Sequence, residues 1–258
     1  MQRDDQALSE HGSENQNTLS AGRNYVRPTV ICFHGSGDNA VPGWKEFVDL
    51  ARTHYEVVLL DRGSGQTSLN GANSILLNYL RDQHLDPPYV LVAHSYGGAF
   101  AKMFLYGNTR MVAGMLLVET GQEGGLPDDV ERALLNRSLL GNKPLSVIRG
   151  DSLITSWEAL QTAEAAPDSE SAKAALATRR QFLEACDTED DRLKKAQLRL
   201  SRNAKYVHLP ACGHNVIRDR PEVVIEQLQW IMANLQPVST SRSPWDSFMR
   251  WWREVRQR

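Results

Sequence analysis

The chain has 258 residues, of which 41% are hydrophobic, and 29 Lys and Arg stand against 31 Asp and Glu, for a formal charge of −2. A chain of this size and composition can bury a full core, and its charge argues against a basic, nucleic-acid-binding surface. No apolar run approaches the roughly 18 residues of a membrane span, and the first residues lack a signal peptide's apolar segment, so we expect a cytoplasmic protein. The N-terminal segment has few apolar side chains, which predicts a flexible polar tail over residues 1–27.

Short apolar segments alternate with helical patterns over residues 28–235, which predicts parallel strands joined by crossover helices. The predicted strands are Thr29–Phe33, Val57–Asp61, Tyr89–Ala93, Met115–Val118, Leu145–Ile148 and Tyr206–Leu209. The predicted helices are Trp44–His54, Ser74–Gln83, Gly98–Gly107, Asp128–Leu140 and Pro221–Leu235. The fold class is α/β, with a mostly parallel central sheet of about six or more strands flanked by helices.

One connection, over residues 152–204, is unusually long and carries at least two helical patterns. The second pattern is predicted to begin at Thr188 and Asp191, which have the spacing of a capping box with Asp in place of Glu. The acidic run Asp187–Asp191 is interpreted as a solvated helix start. Two interpretations of the insertion stay open: a lid over a binding site, or a helical hairpin that buries its apolar side chains on the sheet.

A serine follows the third predicted strand directly, in His94-Ser95-Tyr96-Gly97-Gly98. A nucleophile at a sharp strand–turn–helix junction needs small neighbours, because its own backbone is strained and the helix packs close to the strand. Gly97 and Gly98 provide that space. The alternative is a serine that only caps the helix of an ordinary βα unit. We favour the elbow, with Ser95 as the nucleophile.

A glycine-rich stretch, His34-Gly35-Ser36-Gly37-Asp38, follows the first predicted strand. Glycines there let backbone N–H groups turn toward a ligand, so the amides of Ser36 and Tyr96 are the candidate oxyanion-hole donors. The alternative is a phosphate cradle. The stretch lacks both the Lys-Ser/Thr ending of a P-loop and the complete G-x-G-x-x-G spacing, which favours the oxyanion hole.

His214 follows the last predicted strand, directly after Gly213. The glycine lets the loop turn so that the imidazole points back over the carboxyl edge of the sheet. The other six histidines adjoin the site, lie in a strand or are expected on the surface: His34, His94, His208, His11, His54 and His84. His214 is therefore the candidate general base for Ser95, against the alternative of a solvated loop histidine.

Two acidic residues are candidates for the group that orients the imidazole. Glu119 ends the strand Met115–Val118, and Asp151 follows the next strand in the sequence Arg-Gly-Asp. Both are expected at the carboxyl ends of parallel strands, where open α/β sheets place their ligands. The residues alone leave the choice open.

Taken together, these motifs resemble the α/β-hydrolase superfamily, in its serine-nucleophile, esterase- and lipase-like branch. The resemblance covers roughly residues 28–235 and rests on four features: His34-Gly35, the turn Asp61-Arg-Gly-Ser-Gly-Gln-Thr-Ser68, the elbow at Ser95, and Gly213-His214. It implies the fold and the nucleophile but says nothing about the substrate.

The resemblance also bears on the acid. Family members usually carry it in a G-x-x-D pattern after the later strand, and that place is Leu153 here. A minority, including some haloalkane dehalogenases, place a glutamate directly after the earlier strand, which Glu119 matches. We therefore favour Glu119 and keep Asp151 as the alternative.

The predicted function is a serine hydrolase that cleaves an ester, lactone or thioester of a small organic molecule through an acyl-enzyme on Ser95. Candidate substrate-binding residues are His34, Gly35 and His94 beside the nucleophile and Trp157 in the insertion. Three scattered cysteines offer no CxxC metal site, and no metal or organic cofactor is implied. Two alternatives are lyase, isomerase or cyclase chemistry on the same triad, and a catalytically silent binding protein. A serine at the elbow argues against dehalogenase and epoxide-hydrolase activity, for which the family uses Asp.

Residues 236–258 are predicted to form a basic, aromatic amphipathic helix, with Trp245, Trp252 and Val255 among the residues at helical spacing. Such a helix can lie on a membrane surface or dock on protein. We favour packing on the body or on a second subunit of a homodimer over membrane contact. No nucleic-acid partner is expected.

Overall fold

The computed structural model describes residues 27–36, 40–61, 68–121, 124–167 and 169–236. Its strands are β1 (Thr29–Phe33), β2 (Val57–Leu60), β3 (Tyr89–His94), β4 (Val112–Val118), β5 (Gly141–Arg149) and β6 (Ser201–His208). Its helices are α1 (Ala40–Arg52), α2 (Leu69–Asp82), α3 (Gly97–Gly107), α4 (Asp128–Asn136), α5 (Ile154–Glu164), α6 (Glu170–Ala196), α7 (Val216–Asp219) and α8 (Pro221–Ala233). All the strand pairs are parallel, in the order β2-β1-β3-β4-β5-β6. The predicted fold class is confirmed.

Helices cover both faces of the sheet, so the side chains of each central strand enter two separate cores. In β1, Ile31 and Phe33 enter the core under α2 and α3, whereas Val30 and Cys32 enter the core under α1 and α8. Burial on both faces explains why the strands read as continuous apolar runs rather than as an alternating pattern.

The observed strands differ from the predicted ones mainly at their starts. β1 has its predicted bounds, but β4, β5 and β6 all begin earlier than predicted. β6 lies at the edge of the sheet, and exposed or half-exposed polar residues make up much of its first half. An edge strand with an exposed face carries polar residues, which an apolar-run criterion rejects.

The second half of the insertion is one long helix, α6, rather than a helix that begins near Thr188. It begins after Ser169, whose Oγ accepts a hydrogen bond from the N–H of Ala172 (3.1 Å). The predicted capping box at Thr188 and Asp191 is wrong, since Thr188 Oγ1 donates to the carbonyl of Glu184 within the helix (2.8 Å).

The acidic run Asp187–Asp191 binds the body of the protein and is not a solvated helix start. Arg149, at the end of β5, donates from Nε to Asp190 Oδ2 (2.8 Å) and pairs with Asp187. Asp190 is buried. Its partner lies 41 residues away in the sequence, so a local charge pattern does not reveal the pairing.

The insertion forms a pair of helices, α5 and α6. Arg180 of α6 binds Glu164 of α5 and lies 6.0 Å from the ring centre of Trp157. Leu160 is buried, whereas Phe182 is 65% exposed. The pair therefore packs only in part on the body, and its role as a lid stays a prediction.

The predicted polar tail and C-terminal helix lie outside the described residues, apart from Arg27 and Gln236, and so does most of the turn between Asp61 and Ser68. In the part of the chain that the structure describes, no helix is long and apolar enough to cross a membrane.

Candidate active site

Ser95 occupies the turn between β3 and α3 with a left-handed backbone, at φ = 51°. The turn is closed by the N–H of Gly98, which donates to the carbonyl of Ser95 (2.8 Å), while the N–H of Ser95 donates to Val118 of β4 (3.1 Å). A left-handed non-glycine residue costs about 1–2 kcal/mol, so such residues mark places where the surroundings impose the conformation. Ser95, the residue predicted to be the nucleophile, has this strained conformation.

Gly97 allows α3 to begin against the end of β1. A Cβ atom at this position would lie 2.1 Å from the carbonyl oxygen of Phe33 and 2.7 Å from that of His34. No side chain fits there, because both atoms belong to the backbone. The contact places the loop after β1, which carries Ser36, beside the elbow.

His214 reaches the elbow because the loop after β6 packs on the loop after β5. A Cβ atom on Gly150 would lie 2.6 Å from the carbonyl oxygen of Gly213. His94, which precedes the nucleophile, donates from Nε2 to the carbonyl of His214 (2.8 Å), and the two ring centres are 4.9 Å apart. Within the described residues no hydrogen bond joins Ser95 Oγ to His214. Catalytic hydrogen bonds of free enzymes often tighten only when substrate binds.

Glu119 lies directly behind His214. Its Oε2 is 3.2 Å from His214 Nδ1, and its side chain is fully buried, whereas that of His214 is 43% exposed. A carboxylate oxygen accepts, so Nδ1 carries the proton and Nε2 of the neutral ring keeps a lone pair for a proton from the solvent side. Ser152 Oγ donates to the same oxygen (2.6 Å) and lies 3.3 Å from His214 Nδ1.

The backbone at Glu119 is also left-handed, at φ = 49°. Its N–H donates to the carbonyl of Ile148 on β5 (2.9 Å). The next residue, Thr120, is held by Gln197, which accepts from Thr120 Oγ1 (2.8 Å) and donates to the Thr120 carbonyl (2.9 Å). A second strained residue at the carboxyl edge of the sheet is thus fixed from both sides.

Four donors surround the Glu119 carboxylate and keep it ionised. Burial alone raises its pKa, but hydrogen bonds from His214, Ser152 and the Gly150 N–H, together with the charge of Lys194, lower the pKa to about 2. The Gly150 N–H lies 2.6 Å and Lys194 Nζ 3.5 Å from Oε1. Oε1 and Oε2 therefore have separate sets of partners.

This low pKa predicts a pH-dependent stability. The ordinary value is 4.5, so the stabilisation is complete above pH 4.5 and is lost as the pH falls toward 2. The free-energy difference of unfolding between wild type and Glu119→Gln should narrow by about 1 kcal/mol per pH unit below 4.5. Urea unfolding of both proteins at pH 6 and at pH 3.5 measures this difference in unfolding free energy. Glu46→Gln, at an exposed glutamate of α1, is the control, and an equal narrowing there would contradict the assignment.

Asp151, the alternative acid, lies in the loop after β5, between Gly150 and Ser152. Its Oδ1 accepts from the N–H of Leu153 (2.9 Å), and its own N–H donates to the carbonyl of Cys212 (2.6 Å). Among the described residues, its carboxylate forms no hydrogen bond with His214. The structure thus brings Glu119, and not Asp151, to the imidazole.

The other predicted site residues fall into two groups. His34, Gly35 and His94 are buried beneath the elbow, and His34 Nδ1 donates to the carbonyl of Gly35 (2.8 Å). Ser36 is exposed and Tyr96 is half-buried. Residues 37–39 of the glycine-rich stretch lie outside the described residues. Trp157 contacts Arg180 of α6, and its role in substrate binding stays a prediction.

No group of three or more His, Cys, Asp or Glu in the described part of the chain is arranged to hold a metal ion. Cys32, Cys186 and Cys212 are free. Burial raises the pKa of the Cys212 thiol, two residues before His214. A raised thiol pKa favours a packing role over that of a nucleophile for Cys212.

The sequence matches one protein family over most of its length. A family model described as the alpha/beta hydrolase family matches residues 30–227. The chain belongs to this family. A comparison with curated protein sequences gives no match.

Solved structures similar to this alpha/beta hydrolase include MenH from S. aureus, at 13% identity and a TM-score of 0.54, covering 83% of this chain and 97% of that one. The esterase RhEst1 from Rhodococcus sp. ECU1013 is 14% identical, with a TM-score of 0.51, covering 81% and 92%. A lipase-esterase related protein from Clostridium acetobutylicum ATCC 824 is 12% identical, with a TM-score of 0.50, covering 79% and 94%. At such identities the likeness shows the fold alone.

Sequence reasoning missed three residues that contact the candidate acid or the residue after it: Ser152, Lys194 and Gln197. Asp190 and Lys194 lie one turn apart on α6, and Gln197 follows three residues later, directly after the end of α6 at Ala196. That spacing was a usable signal. It was overlooked because this hydrolase buries a polar face of α6 where an apolar stripe was expected.

Proposed function

We propose that the protein is a serine hydrolase that cleaves a carboxylic ester, lactone or thioester of a small organic molecule. The observation that carries the proposal is the contact of 3.2 Å between Glu119 Oε2 and His214 Nδ1, beside a serine in a left-handed elbow. Nucleophile, base and orienting acid come from three loops at the carboxyl edge of one sheet, which is the arrangement that a Ser-His-acid triad needs.

In this proposal Ser95 Oγ attacks the carbonyl carbon while His214 Nε2 takes its proton. The carbonyl oxygen becomes an oxyanion, which accepts hydrogen bonds from the amides of Ser36 and Tyr96. The intermediate then collapses, and the imidazolium gives its proton to the departing alcohol or thiol. A water molecule, deprotonated by His214, attacks the acyl-Ser95 ester. The acyl–Oγ bond then breaks, the imidazolium returns its proton to Ser95 Oγ, and the carboxylic acid product leaves.

Glu119 stabilises the imidazolium in both halves of this cycle. Its carboxylate is buried and already ionised, so it gains a charged partner at the moment when His214 takes the proton. The four donors on the carboxylate keep it from rotating, and the 43% exposure of the His214 side chain leaves Nε2 open to the substrate side.

Labelling with a fluorophosphonate tests the proposal, because the reagent traps activated serines. We expect covalent labelling of Ser95, located by mass spectrometry of peptides, and its loss in Ser95→Ala and His214→Ala. Ser74→Ala is the control: this serine is exposed on α2, where its Oγ donates to the Asn70 carbonyl, and its removal should leave labelling of Ser95 in place.

Turnover of a panel of acyl-chain esters, thioesters and lactones, each compared with Ser95→Ala, then identifies the bond that is cleaved. Labelling without turnover of any member would favour lyase, isomerase or cyclase use of the same residues. A folded protein that is not labelled would contradict covalent catalysis and favour the silent binding protein.

A further inference from the structure

A buried lysine stands behind the candidate acid. Lys194 of α6 is 1% exposed, and its Nζ lies 3.5 Å from Glu119 Oε1. One helical turn earlier, Asp190 pairs with the same ammonium group. Lysine is almost never fully buried unless it is paired, so this cation is held in place by the two carboxylates.

The pairing continues away from the site. Asp190 also binds Arg149 of β5, with 2.8 Å between Arg149 Nε and Asp190 Oδ2. Glu119, Lys194, Asp190 and Arg149 thus form a row of alternating charges from the active site to the end of β5, which we name the charge row. All four residues are buried.

We propose that Lys194 is a positioning residue of the reaction, which fixes the Glu119 carboxylate and sets how strongly this carboxylate holds a proton on His214. The proposal rests on the proposed function. Within the described residues Lys194 forms its ion pairs with Glu119 and Asp190, with no ion pair to His214 and no hydrogen bond to Ser95, so it acts through Glu119.

The orientation of the Glu119 carboxylate is fixed because its two oxygens have different donors. Lys194 and the Gly150 N–H face Oε1, whereas Ser152 and His214 face Oε2. With two donors at each oxygen, the carboxylate loses hydrogen bonds if it rotates, so one oxygen stays directed at the imidazole.

The electrostatic effect follows from the signs of the charges. Glu119 stabilises the imidazolium, and the Lys194 ammonium offsets part of that field, so loss of the Lys194 charge should favour the imidazolium. Asp190 in turn offsets Lys194. The basicity of His214 therefore depends on a helix of the insertion.

The charged and titratable groups near this row come from several elements. Those that interact with the row or with His214 are Asp187 and Asp191 of α6, Tyr206 of β6, His94 of β3 and Cys212 of the loop after β6. Lys195 of α6 pairs with Asp191 rather than with a member of the row. Lys195 is the useful one for a control. It pairs with Asp191 at 2.6 Å, and its side chain is 54% exposed.

Lys194→Met and Lys195→Met make a matched pair, since each removes one positive charge from neighbouring positions of α6. The first readout is the NMR titration midpoint of the His214 imidazole in the free protein, assigned with His214→Asn. The second is the acid limb of kcat/KM for an ester substrate. We expect Lys194→Met to move both upward by roughly 0.5–1 pH unit and Lys195→Met to move them by less than about 0.2.

Asp190→Asn removes a negative charge, whereas Lys194→Met removes a positive one. It removes the anion that offsets Lys194, so both readouts should move downward. Opposite shifts from the two variants cannot arise from loosened packing alone, since loss of packing has no charge sign. Shifts in the same direction, or no shift in either variant, would overturn the proposal.

If Lys194→Met does not fold, the separate variants Lys194→Arg and Asp190→Asn keep the test decisive. Lys194→Arg retains the charge and should leave the His214 midpoint near wild type, and a large upward shift in this variant would overturn the proposal. The NMR readout needs no catalysis. Charge-dependent shifts of His214 in a protein whose Ser95 is not labelled would sustain the electrostatic linkage while refuting the hydrolase, so the two failures are distinguishable.

Discussion

Replacing Glu119 by Gln is expected to lower kcat about 10⁴-fold while leaving the fold intact. The amide has the shape of the carboxylate but two different ends. The Gly150 N–H and Lys194 both face the position of Oε1 and can only donate. The amide oxygen must therefore turn toward them, and the NH₂ group turns toward His214.

An NH₂ group opposite Nδ1 forces the wrong tautomer on the imidazole. Nδ1 becomes the acceptor and Nε2 carries the proton, so His214 can no longer take the proton of Ser95. KM should change far less than kcat, because Glu119 is buried away from the substrate side. Steady-state kinetics on the best ester of the panel measures both.

Asp151→Asn is the matched control, since it makes the same chemical change in the loop after β5. Asp151 Oδ1 accepts from the Leu153 N–H (2.9 Å), a bond that the amide oxygen of Asn retains. We expect kcat within about threefold of wild type, as for a surface substitution that keeps its hydrogen bond. A large loss in Asp151→Asn, with Glu119→Gln near wild type, would reverse the assignment of the acid.

The fold could be predicted from sequence where burial on both faces makes strands apolar and where tight turns demand particular residues. β1 and the elbow at Ser95 followed from such local signals. The starts of β5 and β6 did not, because the edge position of β6 is a property of the assembled sheet.

At the site, sequence order placed the serine, the histidine and two acids at one edge of the sheet. It left the choice between Glu119 and Asp151 open, and only the resemblance to the family favoured Glu119. The choice depends on where the loops after β5 and β6 touch, at Gly150 and Gly213. The charge row was missed for a similar reason. Its members come from the loop after β4, from β5 and from α6. The spacing of Asp190 and Lys194 marks a polar face of α6, but it does not reveal which residues of other elements pair with that face.

Gly97→Ala is expected to destabilise the protein by more than about 3 kcal/mol, enough to remove much of the stability of a typical domain. The new methyl group would lie 2.1 Å from the carbonyl oxygen of Phe33. The two elements cannot simply part, because β1 pairs with β2 and β3, and α3 is anchored in the core by Phe100 and Phe104.

Gly107→Ala in the same helix is the control, since a Cβ atom there meets nothing within 4 Å. This change should be neutral or stabilise by up to about 1 kcal/mol, because alanine favours helix. Urea unfolding followed by circular dichroism compares the two variants with wild type.

Any Gly97→Ala protein that does fold tests the site as well as the fold. Relief of the clash must move the end of β1 away from the start of α3, and this separates the two candidate oxyanion donors, the amides of Ser36 and Tyr96. Loss of alignment with one donor typically costs 10²–10³ in kcat. A Gly97→Ala variant with wild-type stability and wild-type turnover would therefore contradict both the close packing of the elbow on β1 and the proposed oxyanion hole.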